Sequence, residues 1–207
     1  YLGTLNYEGV DFLSKMGVKR VILERQLTIG EIKEIVERNK EVEIEVFVHG
    51  GGCSNINVNC YGCSGSGVRS LKPGYKGLLT PTCRLTYDVS EVREGKRRRL
   101  GDIPILDAYF FCSFCRLEDL VKAGVAGLKI VGRDGPPYYQ ILTTKTYREL
   151  LDLLESGRTH LFRERLESLK RREDVLLWAS QVSSPDACRQ KRCYYMPFFH
   201  APYKIAV

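Results

Sequence analysis

The stretch Val42 to His49 constrains this chain more than any other. Val42, Ile44, Val46 and Val48 fall on one side of an extended strand and Glu43, Glu45, Phe47 and His49 on the other, and three glycines and a cysteine follow without a break. Successive side chains leave a pleated backbone in opposite directions, so this alternation describes a strand with two different faces. Its neighbours set its company. Residues 6–16 carry Val10, Phe12, Leu13 and Met16 at helical spacing and end at Gly17. Val18 to Leu23 reads as a short buried strand. Thr28 and Glu31 have capping-box spacing ahead of the apolar stripe Ile32, Ile35 and Val36. Helix, strand, helix, strand at this pitch predicts a parallel α/β sheet.

From Gly50 to Tyr75 the pattern gives way to Gly, Ser, Asn and Cys, too long a stretch for a plain connection unless a ligand ties it down. Beyond it, 104–111 is apolar enough for a strand, Leu117 to Ala123 reads as a helix and Leu128 to Val131 as a strand. Asp134 to Pro137 forms a turn, and helices are expected over Thr146 to Leu154 and Leu161 to Lys170, with an irregular tail from Ser183. About four strand–helix units can be counted in the 207 residues. A complete (β/α)₈ barrel takes about 250 residues, so the expectation is an open sheet or the second half of a barrel. The organisation is read as an α/β region over 1–155, carrying a Cys-rich insertion at 50–90, and a helical and irregular extension over 156–207. The start Tyr1-Leu2-Gly3-Thr4 reads as a segment of something longer without a secretory leader, and no apolar run reaches the ~20 residues that span a bilayer. A cytoplasmic protein is expected.

Lys and Arg number 32 against 25 Asp and Glu, a net charge of +7. The excess gathers in Lys96 to Arg99, Lys170 to Arg172 and Arg189 to Arg192. Each run alone reads as a solvated loop or helix end; together they suit an anionic partner such as RNA. The eight cysteines also come in groups: Cys53, Cys60, Cys63 and Cys83; Cys112 and Cys115; Cys188 and Cys193. Such clustering points to metal or iron–sulfur ligation rather than to structural cystines. Four thiolates satisfy either a 4Fe–4S cluster or, as the alternative, a zinc ion. The first group follows the carboxyl end of the Val42–His49 strand, where α/β folds place their sites.

At these residues the sequence resembles the collagenase-like peptidase family U-32. Glu45-Val46-Phe47-Val48-His49-Gly50-Gly51-Gly52-Cys53, with Cys60 seven residues on, looks like its signature. Gly77 to Tyr87, containing Pro81, Cys83 and Arg84, is similar to a Gly-x-Cys-x-x-Pro-Cys-Arg-x-x-Tyr element. Leu120 to Arg133 is similar to its Ala-Gly-Val…Leu-Lys-Ile-Glu-Gly-Arg stretch, Tyr147-Arg148 to a Tyr-Arg that follows, and Gly17 to Ile32 to the preceding strand and helix. The match runs from about residue 5 to 155. Departures are Val58 in place of a Gly, Leu79 in place of a Cys and Val131 in place of the Glu.

The resemblance implies the C-terminal half of a TIM-type barrel domain. It also implies an iron–sulfur protein in oxygen-independent hydroxylation, of tRNA or ribosomal RNA bases using prephenate or of quinone precursors. Cys53, Cys60 and Cys83 would be cluster ligands, with Cys112 as the fourth and Cys63, Cys115, Cys188 and Cys193 as alternates. Glu45, Lys129 and Arg133 are the candidate catalytic residues; a carboxylate facing the barrel interior is costly unless paired or used, and the plain alternative is an ion pair with Lys129 or Arg133. Arg84, with Lys129 and Arg133, suits a small carboxylate substrate, and His49 is a candidate substrate or anion contact or else an exposed turn residue. The tail Ala187 to His200 mixes cations and aromatic rings, which suits stacking on RNA bases or packing under the barrel. Peptidase activity and a non-catalytic iron–sulfur subunit, its barrel completed by a missing N-terminal half or a protein partner, are the other readings. No Ser/His/Asp order or His-Glu-x-x-His motif supports proteolysis.

Overall fold

A computed structural model of the chain describes residues 2–50, 68–69, 79–80, 87–103, 112–132, 137–171 and 194–195. Two compact units divide it, one gathering Gly3–Gly52 with Tyr109–Val207 and the other Tyr1–Leu2 with Cys53–Ala108.

In the first unit, helix α1 (Tyr7–Lys15) starts where the Asn6 side chain accepts the Gly9 N–H at 2.9 Å. Val10 and Leu13 are buried, but Phe12 and Met16 are 64% and 67% exposed. At about 100° per residue Phe12 stands across the helix from Val10, so the apolar stripe is narrower than the sequence suggests. Strand β1 (Arg20–Ile22) leads to α2 (Ile29–Arg38), which opens with the expected capping box. Glu31 donates its N–H to Thr28 Oγ1 at 3.3 Å, while its carboxylate accepts from the Thr28 N–H and the Thr28 hydroxyl, each at 2.7 Å, and these last two bonds hold the Glu31 carboxyl below its ordinary range.

Strand β2 (Glu43–His49) lies between β1 and a later strand, β7 (Gly127–Ile130), and is parallel to both. Glu43 pairs with Arg20 and Glu45 with Ile22 on one side, and Glu45 with Gly127 and Phe47 with Lys129 on the other. The α/β parallel sheet expected from the spacing is therefore present. Val21, Leu23, Ile44, Val46 and Val48 turn to the core and pack with Ile32, Ile35, Leu117, Leu120 and Leu150. Each such side chain contributes about 1.5–3 kcal/mol on burial. A 3₁₀ turn (Phe114–Arg116) runs into α3 (Leu117–Lys122). The following helix, α4 (Pro137–Glu155), begins nine residues before the sequence reading: Pro137 opens it, a position where proline's missing N–H costs nothing. Helix α5 (Thr159–Arg171) follows.

The second unit holds two antiparallel pairs, β3 (Val68–Arg69) with β4 (Leu79–Thr80), and β5 (Tyr87–Arg93) with β6 (Lys96–Ile103). The second pair is a hairpin whose two-residue turn puts Glu94 and Gly95 at φ 48° and 75°, the left-handed geometry such turns need. The basic run Lys96–Arg99, expected on a loop or helix end, is thus strand β6. Arg99 is bonded to Asp88 and Asp102 at 2.9 and 2.7 Å, and Arg93 and Arg98 share Glu91. The strand expected over 104–111 lies outside the described residues. Among the described residues no helix is long and apolar enough to cross a membrane.

Thr28→Ala is expected to lower stability by about 1 kcal/mol at neutral pH. Because the Glu31 pKa is depressed on folding, its share of the cap is present above pH 4.5 and lost as pH falls below it. Urea unfolding of both proteins at neutral and acid pH should show the deficit narrowing on the acid side.

Candidate functional site

The residues of interest collect where β2 ends. His49, its last residue, is wholly buried rather than exposed in a turn. Its ring lies against Phe114, Tyr139 and Tyr147 at centroid distances of 5.2, 5.9 and 5.7 Å, and its Nδ1 is 3.4 Å from the Tyr147 hydroxyl. Burial pushes its pKa down to about 3, so the ring is neutral. The structure thus places His49 inside an aromatic enclosure, where its contact with a partner would be a hydrogen bond from a neutral ring and not a charge.

Four consecutive carbonyls at this end are each taken by a donor from elsewhere in the chain. Tyr195 donates its hydroxyl to Phe47 O. Val48 O accepts from Tyr147 at 2.6 Å and from Ser113 Oγ at 2.9 Å. His49 O accepts the Val131 N–H at 2.8 Å, and Gly50 O accepts the Tyr194 hydroxyl at 2.6 Å. The Tyr147 oxygen in turn accepts the Ser113 N–H at 3.2 Å. Burial raises the pKa of both Tyr147 and Tyr195, which keeps these phenols protonated as donors. Gly50 has φ 76°, and a Cβ there would sit 2.4 Å from Val131 O and 2.6 Å from the Tyr139 hydroxyl, which itself donates to Val131 O. Only glycine fits.

Cys112 is buried and forms an antiparallel bridge with His49, while its carbonyl accepts the Tyr194 N–H at 3.0 Å. Cys115, one turn along, is exposed. Cys53, Cys60, Cys63, Cys83, Cys188, Cys193, Arg84 and Arg133 lie outside the described residues. Among the described residues no three His, Cys, Asp or Glu side chains gather to hold a metal ion. A thiol set is the right donor chemistry for iron–sulfur or zinc, and Cys112 is the member placed at the carboxyl end of the sheet.

On the face of β2 away from the core, Glu45 is 14% exposed at its side chain and stands 3.7 Å from Lys129 Nζ and 3.9 Å from Arg20 Nη1. Lys129 is therefore brought to Glu45, and Arg20, which sequence reasoning passed over, joins them. The Arg25 guanidinium carbon lies over the Phe47 ring, 3.9 Å from its centroid. Tyr139, Ser113 and Tyr147 were also missed as site-builders. The signal was the spacing Tyr139, Thr143, Tyr147, one buried stripe on a helix begun at Pro137. Ser113 is not a nucleophile poised on His49, because its Oγ is enclosed and engaged with Val48 O. Tyr194 is buried, and Tyr195 is tied to Phe47, so these two tail rings are packed rather than offered to bases.

Residues 2–181 match the family model described as peptidase family U32. The chain belongs to peptidase family U32. Relatives include tRNA hydroxylation protein P of Escherichia coli (strain K12), 28% identical over 74% of this chain and 43% of the relative. An uncharacterised protease of Methanocaldococcus jannaschii is 33% identical over 70% and 36%, and the 23S rRNA 5-hydroxycytidine C2501 synthase of E. coli is 29% identical over 75% and 23%. The chain thus spans less than half the length of these relatives. No solved structure matches. The U32 match takes in the whole parallel sheet and its helices, whereas Tyr194 and Tyr195 lie beyond it.

Tyr147→Phe leaves the buried Ser113 N–H without its acceptor and should cost about 1–3 kcal/mol. Gly50→Ala combines left-handed strain with a clash and should cost at least about 2 kcal/mol. Denaturant unfolding checks both, with Arg148→Ala, on the exposed side of α4, as a nearly neutral control.

Proposed function

We propose that this chain is the C-terminal half-barrel of an iron–sulfur protein that hydroxylates RNA bases without molecular oxygen. What supports the reading is the coincidence, at one strand end, of the buried Cys112 beside His49 with the point where β2 gives way, within three residues of Gly50, to the Cys53 group in sequence. The relatives named for tRNA hydroxylation and for rRNA 5-hydroxycytidine synthesis supply the substrate class.

Cys53, Cys60, Cys83 and Cys112 are the residues assigned to hold the cluster. When bound, such a cluster supplies one-electron chemistry tuned by its protein surroundings. This chain's own residues have other duties. Glu45 and Lys129, on the sheet face away from the core, are positioned to hold or move a proton beside a bound substrate. Arg84 and Arg133 are assigned to a carboxylate co-substrate of the prephenate kind, which planar guanidinium groups bind bidentately. The remaining strands of the barrel come, on this reading, from outside these 207 residues. A thiol-held cluster also suits a reducing, cytoplasmic setting.

Anaerobically purified protein is expected to contain iron and acid-labile sulfide, and Cys60→Ala to lose most of both. Nucleoside mass spectrometry of tRNA and rRNA should find a hydroxylated pyrimidine that disappears when the gene is deleted and fails to return with Cys60→Ala. Unchanged iron in Cys60→Ala overturns the ligand assignment; gelatin cleavage by the purified protein with no change in RNA overturns the function.

A further inference from the structure

Glu24 is the group that neither the fold nor the proposed chemistry has used. It stands two residues past β1, is 3% exposed, and its Oε2 is buried with no hydrogen-bond partner among the described residues. Its main chain is accounted for, because its N–H donates to Thr4 O at 3.0 Å. The side chain is what remains. A buried carboxylate oxygen without a donor is costly, and such a group calls for a partner, of which a bound ligand is one.

Its place narrows the ligand. Val21 and Leu23 face the core, so alternation puts Glu24 with Ile22, on the face that carries Glu45. The ladder continues past β1, with Leu23 N–H donating to Glu45 O at 2.9 Å, which carries Glu24 to the level of Phe47, whose partner on β7 is Lys129. This is the carboxyl end of a parallel sheet, the usual seat of a ligand in such folds. An ionised carboxylate only accepts hydrogen bonds, so the ligand must present N–H or O–H there and not a negative charge. A carboxylate co-substrate is repelled from this point, whereas the edge of a nucleobase qualifies.

We propose that Glu24 is a base-reading residue, its carboxylate accepting a hydrogen bond from an N–H on the Watson–Crick edge of a pyrimidine held at the carboxyl end of the sheet. The assignment rests on the RNA-hydroxylation reading for the choice of a pyrimidine. Cytosine offers its N4 amino group and uracil its N3 imino group, and a carboxylate accepts from either.

The test uses the full chain with Glu24→Met and Glu24→Gln, titrated by NMR with cytidine 5′-monophosphate and uridine 5′-monophosphate, alongside thermal unfolding and iron analysis. Met replaces an unpaired carboxylate with an apolar side chain of similar length, so Glu24→Met is expected to raise Tm by a few degrees with iron content unchanged. Binding of at least one nucleotide is expected to weaken about tenfold or more. Loss confined to the cytidine nucleotide assigns the N4 amino group, and loss confined to the uridine nucleotide the N3 imino group. Glu24→Gln, which retains the shape and one acceptor, is expected to fall between, and it carries the binding test by itself if the Met variant does not fold. Wild-type affinity for both nucleotides in either variant overturns the proposal, as does a native chain that binds neither. RNA mass spectrometry judges the hydroxylation reading separately: base binding lost in Glu24→Met with no RNA hydroxylation in the native cell keeps the binding site and removes the function.

Discussion

The carbonyls of Phe47, Val48, His49 and Gly50 pose the constraint around which this unit is built. A parallel strand that stops inside a protein leaves acceptors pointing into space that water does not reach, and each must find a donor. Here the donors arrive from four places: Ser113 ahead of α3, Val131 after β7, Tyr147 on α4, and the Tyr194–Tyr195 turn. One strand end thereby fixes the position of a helix, a neighbouring strand and a piece of the tail. Tyrosine suits the task because its ring fills apolar space while its hydroxyl reaches a single carbonyl.

Hydrophobic burial and these bonds divide the work. The cluster from Val10 to Leu169 supplies the bulk of the stability, while surface ion pairs such as Lys15–Asp11 or Lys122–Glu118 are screened by water and add little. The bonds at the strand end add little net energy apiece, but leaving one unmade is expensive, so they choose among packings rather than drive collapse. The same logic covers the hairpin of the second unit. Arg93, Arg98 and Arg99 are matched by Asp88, Glu91 and Asp102, so two of the four cations of Lys96–Arg99 are paired within the hairpin.

The sheet and most helices were legible in the sequence because their signals are local. Val42 to His49 alternates within eight residues, and Thr28 and Glu31 announce α2 from three apart. The hairpin was not, since β6 begins with four cations that carry no period-two pattern; only the Glu94-Gly95 pair hinted at it. The first turns of α4 were hidden because Pro136-Pro137 looks like a break until Pro137 is seen to open a helix. In the site, Gly50 and His49 were visible as residues but not as an environment: that His49 is enclosed depends on Phe114, Tyr139 and Tyr147, 65 to 98 positions away, and no local pattern encodes such distances.

Glu45 and Glu24 show how the same side chain at two positions on one sheet face can have different meanings. Glu45 sits between Arg20 and Lys129, and its mostly enclosed charge is compensated by groups already in the chain. Glu24, nearer the carboxyl end, is more deeply enclosed, and its Oε2 has no hydrogen-bond donor among the described residues. A fold that needed only structural neutrality could have placed an apolar residue there at lower cost, as the general behaviour of buried carboxylates demands. The change from a paired to an unpaired carboxylate runs toward the end of the sheet where His49, Gly50 and Cys112 lie. An unmatched carboxylate oxygen at that end is what the assignment of Glu24 to a base edge accounts for.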